Sequence, residues 1–592
     1  MRRPTPLARA PLLLPLFALT AATAAIVAVA AAPRAAAQGP EELPPLVEEI
    51  TIEVVNVDVV VTDRRGRPVV GLTPEDFVLY EDGERREITN FYAFNDGRVR
   101  QSTASEAGAA PGADGRQIPD PTMRRRMALL FDSNSLEKRD RDHAIEALER
   151  FILEQFDGTY EWSVMAYSDR LQLMQPFTDD KTTVLAALAK VRDLPVPNRQ
   201  EHAWDAILAE GDPVVSRTDT NYGFGSRQAI DQSNSDYITR QEFQVRDRMF
   251  SLLQRFDDTA RAVVEAMRAY SGRDGRKFLV LVTGGLEVVP GPGQFLGRGF
   301  PGAGAQDRTD PIVAVIHNEM LRRFKAIVET ANAAGFAIYP ISRSGLGITS
   351  SPYLDVERKG STTLSSSMDT MPSEIDTDSV PSVLAEGTGG EFYSTTRFYG
   401  AFDDIDDRTA NSYVLGFRTE HAPDRKYHRI RVEPKNGRLK VDHREGYLHL
   451  TREEHLLEEL STPLDFPKDQ GDFKVAMEVS SPAANGGKKV ALTVAGVVPL
   501  RDVTLVPMGD DLVGRMHVYV AVYDREGKLL RLFRERQDVR LPAAQVAAAG
   551  DDAPARFGLT IKDLERGDYT LTLTLLDEIT DRFGTGLAPV QL

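Results

Sequence analysis

The sequence predicts an α/β protein: a doubly wound, mostly parallel sheet flanked by a β-rich N-terminal segment and a C-terminal β-sandwich. Three observations carry this. The runs MALLFD (127–132), FLVLVTGG (278–285) and GFAIYPIS (335–342) are apolar almost throughout, as strands buried on both faces must be. Between them lie segments whose apolar residues recur at helical spacing, and strands alternating with helices build a parallel sheet covered on both faces. Before residue 95 and after residue 411 the period drops to two, the mark of half-buried strands.

Taken in order, residues 1–37 read as a signal peptide. Arg2, Arg3 and Arg9 precede 24 uncharged residues, Ala10 to Pro33, and Ala35-Ala36-Ala37 before Gln38 is a small-residue cleavage pattern. Export to the periplasm, cell surface or medium is the expectation. The alternative is an uncleaved N-terminal anchor, since such a run is long enough to cross a bilayer. Residues 45–97 form a small β unit, with ITIEVVNVDVVVTD alternating in polarity and Asp82-Gly83 marking a hairpin. Residues 98–123, poor in large apolar side chains, read as a linker.

The central domain spans 124–411. After the strand 127–132, Ile145, Leu148, Ile152 and Phe156 place a helix over 138–157. Strands follow at 162–169 and 171–178, a helix at 180–192 and a strand at 278–285. Asp310-Pro311 opens a helix running to about Ala334, and a short helix occupies 381–387. Three stretches interrupt the pattern as loop insertions: polar 211–242, Gly- and Pro-rich 288–308, and Ser-, Thr- and Asp-rich 343–380. Two of them leave from strand C-terminal ends, the edge where open α/β sheets bind ligands. The strands in 412–449 are expected to pack with 45–97, because each piece alone is too small for a core. A helix at 452–460 leads to the sandwich, 462–592.

Composition narrows the function classes. The net charge of −17 becomes −21 once the four arginines of 1–37 are removed, with 67 basic against 88 acidic residues left. Such a surface repels phosphate backbones, which argues against nucleic acid as a partner. The chain has no cysteine, so thiol nucleophiles, thiolate metal sites and disulfides are all excluded. No HExxH, GxxxxGK[ST] or GxSxG motif occurs, and Gly291, Gly293 and Gly297 have neither the spacing nor the following helix of a dinucleotide loop. No catalytic motif emerges, and the chain is not read as an enzyme.

One stretch has the makings of a site. LLFDSNSL (129–136) ends a buried strand on Asp132 at the predicted binding edge, followed by short polar side chains. Carboxylate, amide and hydroxyl oxygens are what hard divalent cations take as ligands. The acidic run Asp403-Asp404-Ile405-Asp406-Asp407 lacks the spacing of a calcium loop and reads as a helix start. His443, His449 and His455, spaced by six, fit no zinc pattern and read as surface or boundary residues.

The strand–helix order of 124–411, Asp132, LVLVTGG (279–285) and AIYPIS (337–342) resemble the von Willebrand factor type A (VWA) domains. GRPVVGLTPEDFVLYEDG (66–83), GTGGEFY (387–393), YVLGF (413–417) and HREGYL (443–448) extend the resemblance to the exported bacterial subgroup of VWA-related proteins, over about 45–449. The resemblance implies protein–protein interaction or adhesion in the cell envelope, through a metal-ion-dependent adhesion site. That site carries Asp-x-Ser-x-Ser, a threonine from a second loop and an aspartate from a third. Here Asp132 matches, Asn134 replaces the first serine, Leu136 the second, and Gly284 stands where the third-loop aspartate would be. Aligning WDAIL (204–208) as the helix after the second loop puts Glu201 near the threonine position. Asp132, Asn134 and Glu201 are therefore the candidate ligands of a degenerate site for weakly held Mg²⁺ or Ca²⁺. The alternative is a dead site in which Asp132 caps nearby backbone. For the whole chain the alternatives are an exported metal-assisted hydrolase using Asp132 and Glu201, or a structural envelope scaffold.

Overall fold

A computed structural model describes residues 54–102, 124–155, 160–195, 253–284, 311–342, 379–480 and 482–592, apart from 255, 274, 396, 465, 467, 469–470 and 485–488. The predicted signal peptide, Glu201 and the stretches 211–242, 288–308 and 343–378 lie outside the described residues. The fold is mixed α/β with a β-rich C-terminal part, and the described chain divides into two compact units, one centred on 41–468 and one on 469–592. Among the described residues, no helix is long and apolar enough to cross a membrane.

The first unit is built on a six-stranded sheet of β1 (Arg125–Asp132), β2 (Tyr160–Tyr167), β3 (Leu171–Thr178), β4 (Arg276–Thr283), β5 (Phe336–Ser342) and β6 (Tyr393–Ser394). Their order is β6-β5-β4-β1-β2-β3. Every pair is parallel except β2 with β3. The helices are α1 (Lys138–Gln155), α2 (Lys181–Asp193), α3 (256–268), α4 (Pro311–Ala334), α5 (Ser379–Thr388) and α6 (Phe398–Ala410).

The apolar run of β1 is explained by where its side chains go. Met127, Leu129 and Phe131 enter one core with Ile145 and Leu148 of α1, Leu188 of α2 and Phe402 of α6. Ala128 and Leu130 enter the other with Val263 and Met267 of α3 and Phe324 and Val328 of α4. All eight residues of the strand are buried, so no position can be polar without a partner. The buried guanidinium of Arg125 accordingly pairs with Asp406 at 2.7 Å.

That pair corrects one expectation. The acidic run 403–407 lies inside α6 and does not open it. Phe398, Ala401, Phe402 and Ile405 are the buried stripe that makes this segment a helix, and Asp406 and Asp407 serve Arg125 and Asn411. The stripe decides, because burial of an apolar face outweighs the small dipole preference of acids for helix starts.

The N-terminal strands pair with those after residue 411. Val54–Thr62 lies antiparallel between Tyr413–Arg418 and Lys440–His443, and Phe77–Glu81 pairs with Tyr427–Pro434. Val57, Phe77, Leu79, Phe91, Leu415 and Phe417 fill the core between these two sheets. The linker expected from residue 98 begins later, because Arg98–Ser102 is a strand paired with Asn90–Asn95. Asp96 (φ 50°) and Gly97 (φ 69°) both lie in the left-handed region, which is what a two-residue hairpin turn requires. At the start of β4, Arg276 fastens this β layer to the central sheet. Its guanidinium pairs with Asp58, donates to Ser412 Oγ at 2.6 Å and stacks over Phe94 at 4.4 Å.

The sandwich expected from residue 462 starts nearer 469. Phe466 is buried in the core of the first unit, its ring 6.0 Å from that of Tyr270, and Lys468 is the last residue of that unit's main segment. The second unit has two antiparallel sheets. One centres on Lys489–Pro499 paired with Pro554–Glu565, the other on Asp511–Tyr523 paired with Asp568–Asp577. Val494, Phe557, Val520 and Leu573, drawn from both sheets, share one core.

Candidate functional site

β1 delivers Asp132 to the C-terminal edge of the sheet, where the chain turns toward α1. The side chain is 1% exposed. Its Oδ2 accepts hydrogen bonds from the hydroxyls of Thr259 at 3.1 Å and Thr283 at 3.2 Å, and its Oδ1 accepts from the backbone N–H of Ser135 at 3.3 Å. Ser135 Oγ lies 2.8 Å from Thr283 Oγ1 and accepts from the N–H of Gly284 at 2.8 Å. One carboxylate is thus ringed by three hydroxyls from the β1–α1 loop, α3 and the end of β4. Burial pushes the Asp132 carboxyl above the usual range, and the hydroxyls of Ser135, Thr259 and Thr283 pull it partly back.

Gly284 shows why the third-loop carboxylate is missing. A Cβ built there would lie 1.7 Å from the carbonyl oxygen of Ser135, well inside contact distance. The end of β4 closes directly onto the β1–α1 loop, and no side chain of any kind fits at this position. Leu136 is 1% exposed and packs into the core beside α1, so it offers nothing to the site. Asn134 sits half-buried on the same loop, and Glu201 lies outside the described residues. Ser133 Oγ, on the same loop, is buried with no hydrogen-bond partner among the described residues.

Sequence reasoning missed Thr259 and Ser135. Ser135 stands one place off the expected alternation, but the tight turn in which Ser135 N and Leu136 N both bond to Asp132 O carries its hydroxyl to Thr283. Thr259 gave no signal of its own: in FDDTARAVVEAM it lies inside α3, whose apolar residues Val263, Ala266 and Met267 are buried.

The donors gathered here are carboxylate and hydroxyl oxygens, the kind a hard cation takes. Oxygens on adjacent vertices of an octahedral Mg²⁺ shell lie about 3 Å apart. The separations here of 2.8, 3.1 and 3.2 Å are close to that spacing and are at the same time those of the hydrogen bonds that join these oxygens. Only one of the oxygen donors carries charge, which is little for a divalent ion.

Two other gatherings of charged groups lie elsewhere in the first unit. A cavity of about 350 Å³ at the N-terminal edge of the sheet is lined by Arg273, Arg276, Lys277, Arg444, Arg452 and His455. Three of its cations are already engaged: Arg276 with Asp58, Lys277 with the carbonyls of Tyr270, Ser271 and Arg273, and Arg444 with those of Asn332 and Asn56. Burial, then Lys277 and Arg452, push the His455 pKa down to about 4. The second gathering corrects the reading of His449 as a surface or boundary residue. It is 2% exposed and meets His421 and His428, which come from a different part of the β layer.

No family model matches the chain, and no curated protein matches it. Several solved structures are similar to parts of the chain. An aerotolerance-related membrane protein from Bacteroides fragilis is 8% identical over 48% of this chain and 98% of its own, with a TM-score of 0.22. Proximal thread matrix protein 1 from the mussel byssus is 9% identical over 54% of this chain and 49% of its own, with a TM-score of 0.20. A β-glucuronidase from Bacteroides uniformis is 11% identical over 20% of this chain, which spans only 13% of the enzyme's length, with a TM-score of 0.14. Likenesses this low do not bear on function.

Proposed function

We propose that the chain is an exported interaction protein of the VWA type, with a doubly wound central sheet that presents its C-terminal edge to a protein ligand. The observation that carries this reading is the Asp132 cluster. A carboxylate ringed by Ser135, Thr259 and Thr283 hydroxyls stands at the edge where such sheets bind ligands. The resemblance of LLFDSNSL and LVLVTGG to the adhesion-site loops points the same way. The cation, Mg²⁺ or Ca²⁺, would be held by Asp132 with Ser135, Thr259 and Thr283, fewer oxygens than the roughly six or more such an ion takes. It would supply an open coordination position for an acidic side chain of the ligand.

Titration calorimetry of the mature chain with Mg²⁺, Mn²⁺ and Ca²⁺ tests this. Millimolar binding lost in Asp132→Ala and weakened in Thr259→Val is expected. The closure at Gly284 favours one rival, a site that has become a structural staple in an envelope scaffold. Absence of binding heat for all three ions would establish the rival. A hydrolase would need further convergent acids or histidines, and the oxygens around Asp132 are hydroxyls.

A further inference from the structure

We propose a transition-metal site of the zinc class in the β layer, formed by His421, His449 and Asp424. It is independent of the Asp132 cluster. His421 and Asp424 lie in the connection 419–426 between strands Tyr413–Arg418 and Tyr427–Pro434, and His449 follows the return strand Gly446–Leu448. One ligand atom from each of the three lies within 4.8 Å of the other two.

The two imidazoles present nitrogen to nitrogen: His449 Nδ1 is 3.1 Å from His421 Nδ1. One proton can lie on the line between the two nitrogens, and a metal ion taking a lone pair from each ring would lie beside that line, displacing the contact of His421 Nδ1 with the Ala422 carbonyl oxygen at 3.3 Å. Nitrogens bound to one tetrahedral Zn²⁺ at 2.0–2.1 Å lie about 3.3–3.4 Å apart, so the pair already has nearly the required spacing. Asp424, held at Oδ1 by the backbone N–H of Lys426 at 2.9 Å and by His428 Nε2 at 3.1 Å, stands beside this pair as the third ligand. Three protein ligands leave the fourth position to water, and the partial exposure of His421 and Asp424 gives the ion a path in.

The surroundings decide which residues ligate. His428 stacks on His421 with ring centroids 4.0 Å apart. It places Nδ1 2.8 Å from Asp82 and Nε2 3.1 Å from Asp424, so both of its nitrogens are taken up by carboxylates. It therefore orients Asp424 and does not ligate. Glu81 also approaches His421, with its Oε1 3.5 Å from Nε2. That carboxylate already accepts from Tyr447 Oη at 2.6 Å and Arg86 Nε at 2.8 Å, which makes it a buried structural acceptor. Carboxylates hydrogen-bonded to the ligands' neighbours are the usual support of such a site. Neutral imidazoles and a carboxylate suit Zn²⁺ and its neighbours better than Mg²⁺ or Ca²⁺, which prefer oxygen alone.

The test is Zn²⁺ binding to the mature chain by competition with a chromophoric chelator, with Co²⁺ absorption to report imidazole coordination. One equivalent of Zn²⁺ is expected, with a tetrahedral Co²⁺ spectrum. Binding should vanish in His421→Ala and weaken at least about tenfold in Asp424→Asn, a change in an accessible connection that leaves the β core intact. It should be unchanged in His143→Ala, an exposed histidine of α1, and in Asp132→Ala, which separates this site from the first. The proposal is overturned if the intact chain binds no Zn²⁺, if His421→Ala and Asp424→Asn bind like the parent, or if Glu81→Gln loses binding while Asp424→Asn keeps it.

Discussion

At the scale of single residues, two titratable groups have opposite linkages to pH. Asp132 is buried with its pKa raised, so it favours the folded state most when protonated. That contribution is complete below the ordinary aspartate pKa and is lost as pH rises through the raised value. Asp132→Asn should therefore remove a decline in stability that the parent shows on going from acid to neutral pH, while abolishing any divalent-cation response. Urea denaturation at a series of pH values reads the first effect, and an unchanged pH profile in the variant would contradict it. His428 also has a raised pKa, although burial works against the charged ring, because hydrogen bonds to Asp82 and Asp424 outweigh that cost. Its stabilisation is complete below the ordinary value of 6.5 and disappears as pH rises through the folded-state pKa. NMR titration of the imidazole should give a midpoint above that of a model peptide, returning toward it in Asp82→Asn. Asp132 was legible in the sequence, because a lone carboxylate ending an apolar run is costly to bury unless hydrogen bonds or a cation meet it there. Thr259 was not, since its hydroxyl reaches Asp132 across 127 positions.

At the scale of elements, the closure of β4 on the β1–α1 loop makes the sharpest prediction. Gly284→Ala forces a Cβ to within 1.7 Å of the Ser135 carbonyl, so the loop must move. A loss of about 1–3 kcal/mol is expected for such overpacking, readable as a lower denaturation midpoint with an unchanged slope. A midpoint equal to the parent's would show that the loop is free to open. Arg276 makes the second. It lies 3% exposed between Asp58, Ser412 and Phe94, and removing it leaves the Asp58 carboxylate without its partner. Arg276→Ala should cost about 3–5 kcal/mol, and an effect below about 1 kcal/mol would show that the two layers hold without it. Elements with a continuous apolar stripe, such as α1, could be read from spacing, because helical periodicity is a local property. The acidic run of α6 was misread as a start because charge was weighed ahead of the stripe Phe398, Ala401, Phe402 and Ile405. Asp96-Gly97, at the boundary drawn between the β unit and the linker, is a strong two-residue turn signal that carries the β layer on to Ser102.

At the scale of the whole molecule, the two units have separate cores, and the second draws on both of its own sheets. A fragment of residues 469–592 should fold alone, with one cooperative thermal transition by circular dichroism. A fragment lacking such a transition would tie that core to the rest of the chain. The sequence by itself determined the alternation of buried strands and covering helices among the described residues of the first unit, the absence of any thiol chemistry, and Asp132 as the residue to watch. These are properties of neighbouring residues or of composition, and periodicity exposes them. Only the tertiary structure decided that Thr259, Ser135 and Thr283 surround that carboxylate, that Gly284 admits no ligand, and that His421, His428 and His449 meet. Each depends on strand register and on approaches within about 3 Å between residues far apart in the chain. One sequence carries no trace of such approaches, because a hydroxyl or imidazole shows its partner only once the backbone has placed them side by side.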